Sequence, residues 1–447
     1  MAVMSSFRAL LAVVVAALAC GVVSARADEH VAVLDAATPI AAAGGTVAYS
    51  ARGADGQYHL MVAGQGGAGA AAVPGVAPSA TPFDVALGLD QSGTLTATYS
   101  RDQRAYAVRL AGPGTETPMR SIAGRAANPV TSGTRVAWIV PGQGPRGCDR
   151  LMVRSGKGRP RAVSSACRTL TGLTIDGYSD RLAWSSADLT GTDGHGAGRK
   201  TSSIKAFQFG GKVRTVQTTS FGEEGNVLSS PSISDGRVTY TQTGVHPRPA
   251  FVSAGVVPGR PAPRTSPAGV ALAGPLAVDG PNAYYLLGPD GEECGDGLAP
   301  IPCELVHAAT KDLAPGAARR LPPELSVGYT PAVKPPAGTP LTVAGVLQRR
   351  TVRDGATLST TPLAGEVVDV LLRGSPNDGT PESFAPTGLS ATTDADGRWS
   401  VQVPAPADPY FSAQVRATGL LAGRGTVGYC PAGTTPTGNG GCDGPAS

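Results

Sequence analysis

Apolar residues recur along this chain in short alternating runs, the period of a half-buried strand, and not at helical spacing. In "SGTRVAWIV" (Ser132 to Val140), Val136 and Trp138 fall on one face and Ala137 on the other. The same pattern returns in "GGTVAYS", "SGTLTATYS", "DGYSDRLAWSS", "SDGRVTYTQ" and "DGPNAYYLL". Each copy has a Gly, a short spacer, an apolar residue and an aromatic, ending at Tyr49, Tyr99, Trp138, Trp184, Tyr240 and either Tyr284 or Tyr285. Gly-containing pairs such as Asp235-Gly236 and Ser132-Gly133 supply the positive φ of tight hairpins. A third strand follows every copy ("YHLMVA", "AYAVRL", "DRLMVRS", "IKAFQF", "AFVSAGV", "ELVHAAT"). The anchors recur at intervals of roughly 40–50 residues, the span of a multi-stranded propeller blade. The expectation is an all-β chain with a six-bladed β-propeller over residues 28–329; seven blades need one unrecognised copy. "VAVLDAA", near the start, is expected to complete the last blade and close the ring.

Composition agrees with this reading. The 61 Gly and 39 Pro among 447 residues cannot be housed in long helices. Residues 1–27 read as a signal peptide: Arg8, the apolar run Ala9 to Val23, and a small-x-small site at Ala25 to Ala27. "ALAC" leaves a lipid anchor through Cys20 as the alternative. Removing Arg8 and Arg26 leaves 35 basic against 33 acidic residues, a balance that gives no support to nucleic-acid binding. No later run is apolar and long enough to span a bilayer. A secreted or envelope-associated protein is expected.

"SDGRVTY" (Ser234 to Tyr240) resembles the repeat of the periplasmic TolB-like six-bladed propellers. The family's Ser-Pro-Asp-Gly turn is nowhere intact here, and Asp-Gly survives in three copies, at Asp176, Asp235 and Asp279. The resemblance implies the propeller fold over about two-thirds of the chain.

"TPAVKPPAGTP" (residues 330–340) has four prolines in eleven residues and reads as a semi-rigid linker. Residues 341–429 hold further strand-like runs and are expected to form a β-sandwich. Within them "TTDADGRWSVQVP" resembles carboxypeptidase-regulatory-like, transthyretin/Ig-type modules. Asp394 and Asp396 are read as turn residues, because a calcium loop needs more acids at regular spacing. Residues 430–447 are expected to form a Cys-tied tail.

Cys148, Cys167, Cys294, Cys303, Cys430 and Cys442 fall into three sequence-local couples. In an oxidising compartment these are expected to be disulfides, and none has zinc-site spacing. "GTDGHGAGRKTSS" (Gly191 to Ser203) fails as a phosphate loop, because Arg199 interrupts the Gly-Lys-Ser/Thr core and no helix follows. No cofactor or metal is implied, and no Ser elbow or His-Glu-x-x-His appears. In a four-stranded meander, the connections between second and third strands share one face, and the longest loops concentrate there. Asp193, His195, His246, Arg248, Asp290, Glu292 and Asp296 are the polar candidates on that rim. The functional expectation is an exported, non-catalytic propeller binding a protein or glycan. A propeller hydrolase or polysaccharide lyase is the rival reading, and a purely structural surface protein the third.

Overall fold

The computed structural model describes residues 29–443 except 65–68, 113, 143–147, 164–167, 178, 189–199, 222–226, 244–249, 257–263, 268–271, 289–302, 314–318, 332–335, 354–355, 374–384, 406–411, 418–424, 429–434 and 437–441. Alternating apolar runs become strands, and helix among the described residues is limited to the 3-10 turn Thr310–Leu313. Six four-stranded antiparallel sheets succeed one another as blades. Blade 1 comprises Ile40–Ala43, Thr46–Arg52, Tyr58–Ala63 and Ala71–Ala72; blade 2 comprises Ala86–Leu89, Leu95–Arg101, Arg104–Arg109 and Thr117–Pro118. Blade 3 comprises Ala127–Ser132, Arg135–Val140, Arg150–Ser155 and Arg161–Ala162; blade 4 comprises Thr169–Ile175, Arg181–Asp188, Lys200–Gln208 and Val213–Phe221. Blade 5 comprises Val227–Ser234, Arg237–Thr243, Ala250–Gly255 and Arg264–Pro267.

Blade 6 departs from this order. Its inner three strands are Leu272–Asp279, Asn282–Leu287 and Cys303–Ala309, and its outer strand is Glu29–Leu34 from the other end of the chain. Glu29 pairs with His307 and Leu34 with Cys303. Two side-chain contacts fasten this strand: His30 Nδ1 to Glu304 Oε1 at 3.0 Å, and His307 Nδ1 to Glu29 Oε2 at 3.1 Å. Glu304 is 2% exposed, so the imidazole supplies this buried polar group with a hydrogen-bond partner. The first strands of blades 1 to 6 touch in sequence, and that of blade 6 touches that of blade 1, so the ring is complete.

The aromatic anchors occupy equivalent places. In blades 1, 3, 5 and 6 the anchor lies three residues beyond the residue closing the inner hairpin: Thr46, Arg135, Arg237 and Asn282. This selects Tyr285 in blade 6. Tyr284 points the opposite way, into the core shared with Tyr49, while Tyr285 meets Phe251 of blade 5 edge-on at 4.9 Å. The six anchors are at most 2% exposed; each buried ring contributes about 2–3 kcal/mol of transfer free energy. In blade 5, Asp235 and Gly236 have φ of 56° and 70°, the two left-handed positions of a type I′ hairpin.

Adjacent first strands belong to different sheets, so their inward edges need other hydrogen-bond partners. Polar side chains bond to backbone groups at or near these strands across every junction. Ser50 Oγ accepts from Phe83 N (2.9 Å), and Thr98 Oγ1 donates to Pro129 O (2.6 Å). Ser132 Oγ donates to Gly177 O, and Ser202 Oγ both donates to Leu228 O and accepts from its N. Ser232 Oγ accepts from Val278 N (2.7 Å), and Asp279 Oδ2 accepts from Gly45 N (2.7 Å) across the closing junction. Blades 2 and 3 approach so closely that a Cβ on Gly88 would lie 1.9 Å from Thr131 O.

The C-terminal strands form two larger antiparallel sheets and a two-stranded ribbon of Thr435–Pro436 and Cys442–Asp443. Pro340–Arg353 is a 14-residue strand. It pairs with Arg398–Pro404 and Gly328–Thr330 along one half, and with Arg319–Leu325 and Ala356–Pro362 along the other. The second sheet contains Ala385–Thr392, Val367–Arg373, Ser412–Ala417 and Gly425–Gly428. Leu341, Val343, Val368, Val370, Trp399 and Val415 from both sheets share one core. Strand pairing places the start of this region at Arg319, upstream of the expected 341. Gly328 to Thr330 and Thr342 to Ala344, on either side of the proline-rich stretch, pair in one sheet. Asp394 builds a hairpin turn: its Oδ1 accepts from Asp396 N (2.9 Å) and Arg398 N (2.8 Å).

Candidate functional site

The two faces of the ring differ in how their strands are connected. First and second strands are joined by tight turns in blades 1, 3, 5 and 6, at 44–45, 133–134, 235–236 and 280–281. Second and third strands are joined at the opposite face of a meander. There the connections are long: 141–149 in blade 3, 189–199 in blade 4, 244–249 in blade 5 and 288–302 in blade 6. In blades 1 and 2 the same connections shrink to 53–57 and 102–103.

Between the faces runs an axial cavity of about 410 Å³, lined by first-strand residues. Blades 3 to 6 carry a register shift in the first strand, at Ala127/Val130, Thr171/Thr174, Ser229/Ser232 and Leu272/Leu276. A positive-φ residue sits in each bulge: Asn128 (46°), Gly172 (59°), Ser230 (49°) and Gly274 (96°). A bulge re-aims the chain and unpairs one residue from its ladder; here the unpaired residues line the cavity. Left-handed backbone at Asn128 and Ser230 costs about 1 kcal/mol each. Most cavity hydroxyls are engaged within the ring, as with Thr171 Oγ1 on Ser185 Oγ (2.6 Å) and Ser229 Oγ on Thr241 Oγ1 (3.0 Å). Asn128 and Ser230, both half-buried, line the cavity at the bulges.

Asp84 precedes the first strand of blade 2 and holds the Asn128 bulge. Its carboxylate accepts from Asn128 N (2.6 Å), Ser100 Oγ (2.5 Å) and Ser100 N. Burial raises its pKa to about 6, although these hydrogen bonds act in the opposite direction. The cavity lining includes two carboxylates, Asp176 and Asp279, and no His, Lys or Arg. Both stand at the short-turn end, and Asp279 is engaged by Gly45 N. Among the described residues, no group of three His, Cys, Asp or Glu is arranged to hold a metal ion. None of their helices is long and apolar enough to cross a membrane.

All seven predicted rim residues lie outside the described residues: Asp193 and His195 in 189–199, His246 and Arg248 in 244–249, and Asp290, Glu292 and Asp296 in 289–302. The strands that bound these segments do end at a common face. Cys148 and Cys303 are disulfide-bonded; Cys167 and Cys294 lie outside the described residues, as does Cys430. Sequence reasoning missed Asn128, Ser230 and Asp84. A signal was present, since Asn128-Pro129, Ser230-Pro231 and Gly274-Pro275 recur near the same place in three repeats.

The geometry defines the protein as an all-β, propeller-like chain with an open axial cavity and one loop-rich face. No protein-family model matches it, and no curated protein does. Solved structures do. A puromycin-hydrolyzing peptidase from Mycobacterium tuberculosis is 13% identical over 70% of this chain, with a TM-score of 0.36; this chain covers 57% of that one, well short of its full length. A putative TolB from Agrobacterium tumefaciens is 11% identical over 75% of this chain and 94% of its own, with a TM-score of 0.31. An ulvan lyase, from a polysaccharide lyase family, is 10% identical over 86% of this chain and 96% of its own, with a TM-score of 0.32. Values this low leave the reading of the site to its own residues.

Proposed function

We propose that this chain is an exported, non-catalytic binding propeller that takes a segment of a protein or glycan on its long-connection face, over the mouth of the axial cavity. The observation that carries the reading is the coincidence of bulged first strands and long connections in the same four blades. Rigid sheets there hold long loops, the arrangement that binding surfaces favour. Toward that mouth the cavity offers neutral hydrogen-bonding groups (Asn128 and Ser230), which suit a neutral polar ligand better than a charged one. Under this reading residues 1–27 are removed on export, and Cys20 would be the anchor if they are processed as a lipoprotein signal. Local disulfides Cys148–Cys167 and Cys294–Cys303 would brace two of the loops, and Cys430–Cys442 the tail.

The test is binding by the purified mature chain to neutral oligosaccharides and to peptides. Replacing 189–199 and 244–249, neither of which contains a cysteine, with Gly-Ser linkers is expected to weaken the selected ligand at least about tenfold, equivalent to about 1.4 kcal/mol, without lowering Tm. Turnover of a peptide, ester or glycoside that disappears in the same variants would overturn the non-catalytic assignment.

A further inference from the structure

The short-turn face carries a second, chemically different feature. Strand alternation puts Arg181 on the same side of blade 4 as Ala183, which packs against blade 5. Ala206 pairs with both Ala183 and Arg214, and Gln208 pairs with Arg181. Arg181, Gln208 and Arg214 thus share the side of the sheet that faces blade 5, and Lys212 sits in the turn beside them. With Val256 from blade 5 they enclose a cleft of about 230 Å³ whose lining contains three cations and no carboxylate. Arg214 is held in place by its Nη1 bond to Val256 O at 3.0 Å, which leaves its other N–H groups available.

Two acids stand close to the cleft. Asp180 receives Gln208 Nε2 at 3.4 Å and lies 4.0 Å from Arg135 on the other side. Asp235 is in the blade 5 hairpin, one residue before the Gly236 carbonyl that Val256 N donates to. Neither lines the cleft. Like charges gathered on one sheet face repel, and a cleft that keeps them together without an acid is built to receive one.

We propose that this cleft binds an oxyanion, a sulfate or carboxylate group, carried on a sugar of an acidic glycan. The guanidinium forks of Arg181 and Arg214 match a planar or tetrahedral oxyanion. The Gln208 side-chain oxygen and the Gly211 carbonyl, on residues that line the cleft, can accept from ring hydroxyls. The cleft admits one sugar-sized unit and no folded segment. It opens on the face opposite the proposed neutral site, so the two stand or fall separately.

Calorimetric titration of the full mature chain, with a sulfated, a uronate-containing and a neutral disaccharide, tests the assignment. Both acidic sugars are expected to bind and the neutral one not, with affinity falling about tenfold between low and physiological salt. Arg181→Gln and Arg214→Gln are each expected to weaken binding about threefold to tenfold. The triple variant with Lys212→Gln is expected to lose it while its Tm in chloride holds or rises. Sodium sulfate should raise the wild-type Tm, relative to chloride of equal ionic strength, by more than it raises that of the triple variant, whose rise is the general stabilising effect of the salt. Acidic-sugar binding that survives the triple substitution overturns the site. A response to free sulfate without binding of either acidic disaccharide overturns the glycan assignment.

Discussion

Blades 1 and 2 and blades 3 to 6 are built from the same repeat yet differ in two respects at once. The first two blades have unbroken inner ladders and short second-to-third connections. The other four have a bulge in the first strand and a longer connection in every case. A straight ladder with a tight turn maximises pairing and leaves little to recognise. A bulge sacrifices a ladder bond and accepts backbone strain, and a long loop adds ordering entropy. That these losses fall together in one part of the ring indicates a division of labour: two blades serve the scaffold, and four have given up regularity toward the cavity and one face.

The comparison breaks first if the blades do not share one mode of cohesion. Tyr49→Ala in the regular part and Trp184→Ala in the bulged part are each expected to cost about 3–5 kcal/mol, read from denaturant unfolding. A loss below about 1 kcal/mol for either would mean that its blade is not wedged to its neighbour as the other is.

A smaller effect sits at the border between the two parts. Asp84 has a folded pKa of about 6 against the ordinary 3.8. Its native state therefore favours the proton. The stability this gives is full below pH 3.8 and is lost as pH rises through 6, an effect of about 2–3 kcal/mol by pH 8. Its side chain keeps some accessible surface, which places the value at the low end. Tm is expected to fall between pH 5 and pH 8, and Asp84→Asn should flatten that part of the profile. An unchanged profile would show that the carboxylate is better solvated than its surroundings indicate.

The smallest effect sharpens the comparison most. Asn128→Gly and Ser230→Gly relieve left-handed backbone and should stabilise the fold by about 0.5–1 kcal/mol while weakening any ligand at the cavity mouth. Gly172→Ala should destabilise, since its φ is 59° and a Cβ would meet Pro231 Cδ at 3.1 Å. Equal stability in all three variants would remove strain from the account of the bulges.

Much of the ring was legible in the sequence because each blade repeats a local pattern: a turn-forming Gly, an alternating strand, and an aromatic such as Trp138 or Tyr240. Even the closing strand could be inferred, from the remainder left after six copies. The bulges were not, because a register shift depends on the partner strand as well as on the residues within it. The start of the C-terminal sheets was missed for a similar reason. "RRLPPEL" (Arg319–Leu325) contains Pro322 and Pro323, which cannot donate to a ladder and so hide a strand. As an edge strand it needs only one bonded side, and its register shifts between Arg320 and Pro323. Asp84 looked like any loop acid; only the arrival of Asn128 from the next blade gives it a role. The cationic cleft was equally hidden, since Arg181 and Arg214 meet through cross-strand pairing.

The seam between Glu29–Leu34 and Cys303–Ala309 also constrains how the molecule comes into being. His30 and Glu304 are 274 positions apart along the polypeptide, so the earliest segment of the ring to leave a ribosome must wait for nearly the last. Until they meet, the sixth sheet presents a bare ladder edge, the kind of surface on which chains stick to one another. A ring assembled in this way has its vulnerable period during synthesis and its security afterwards.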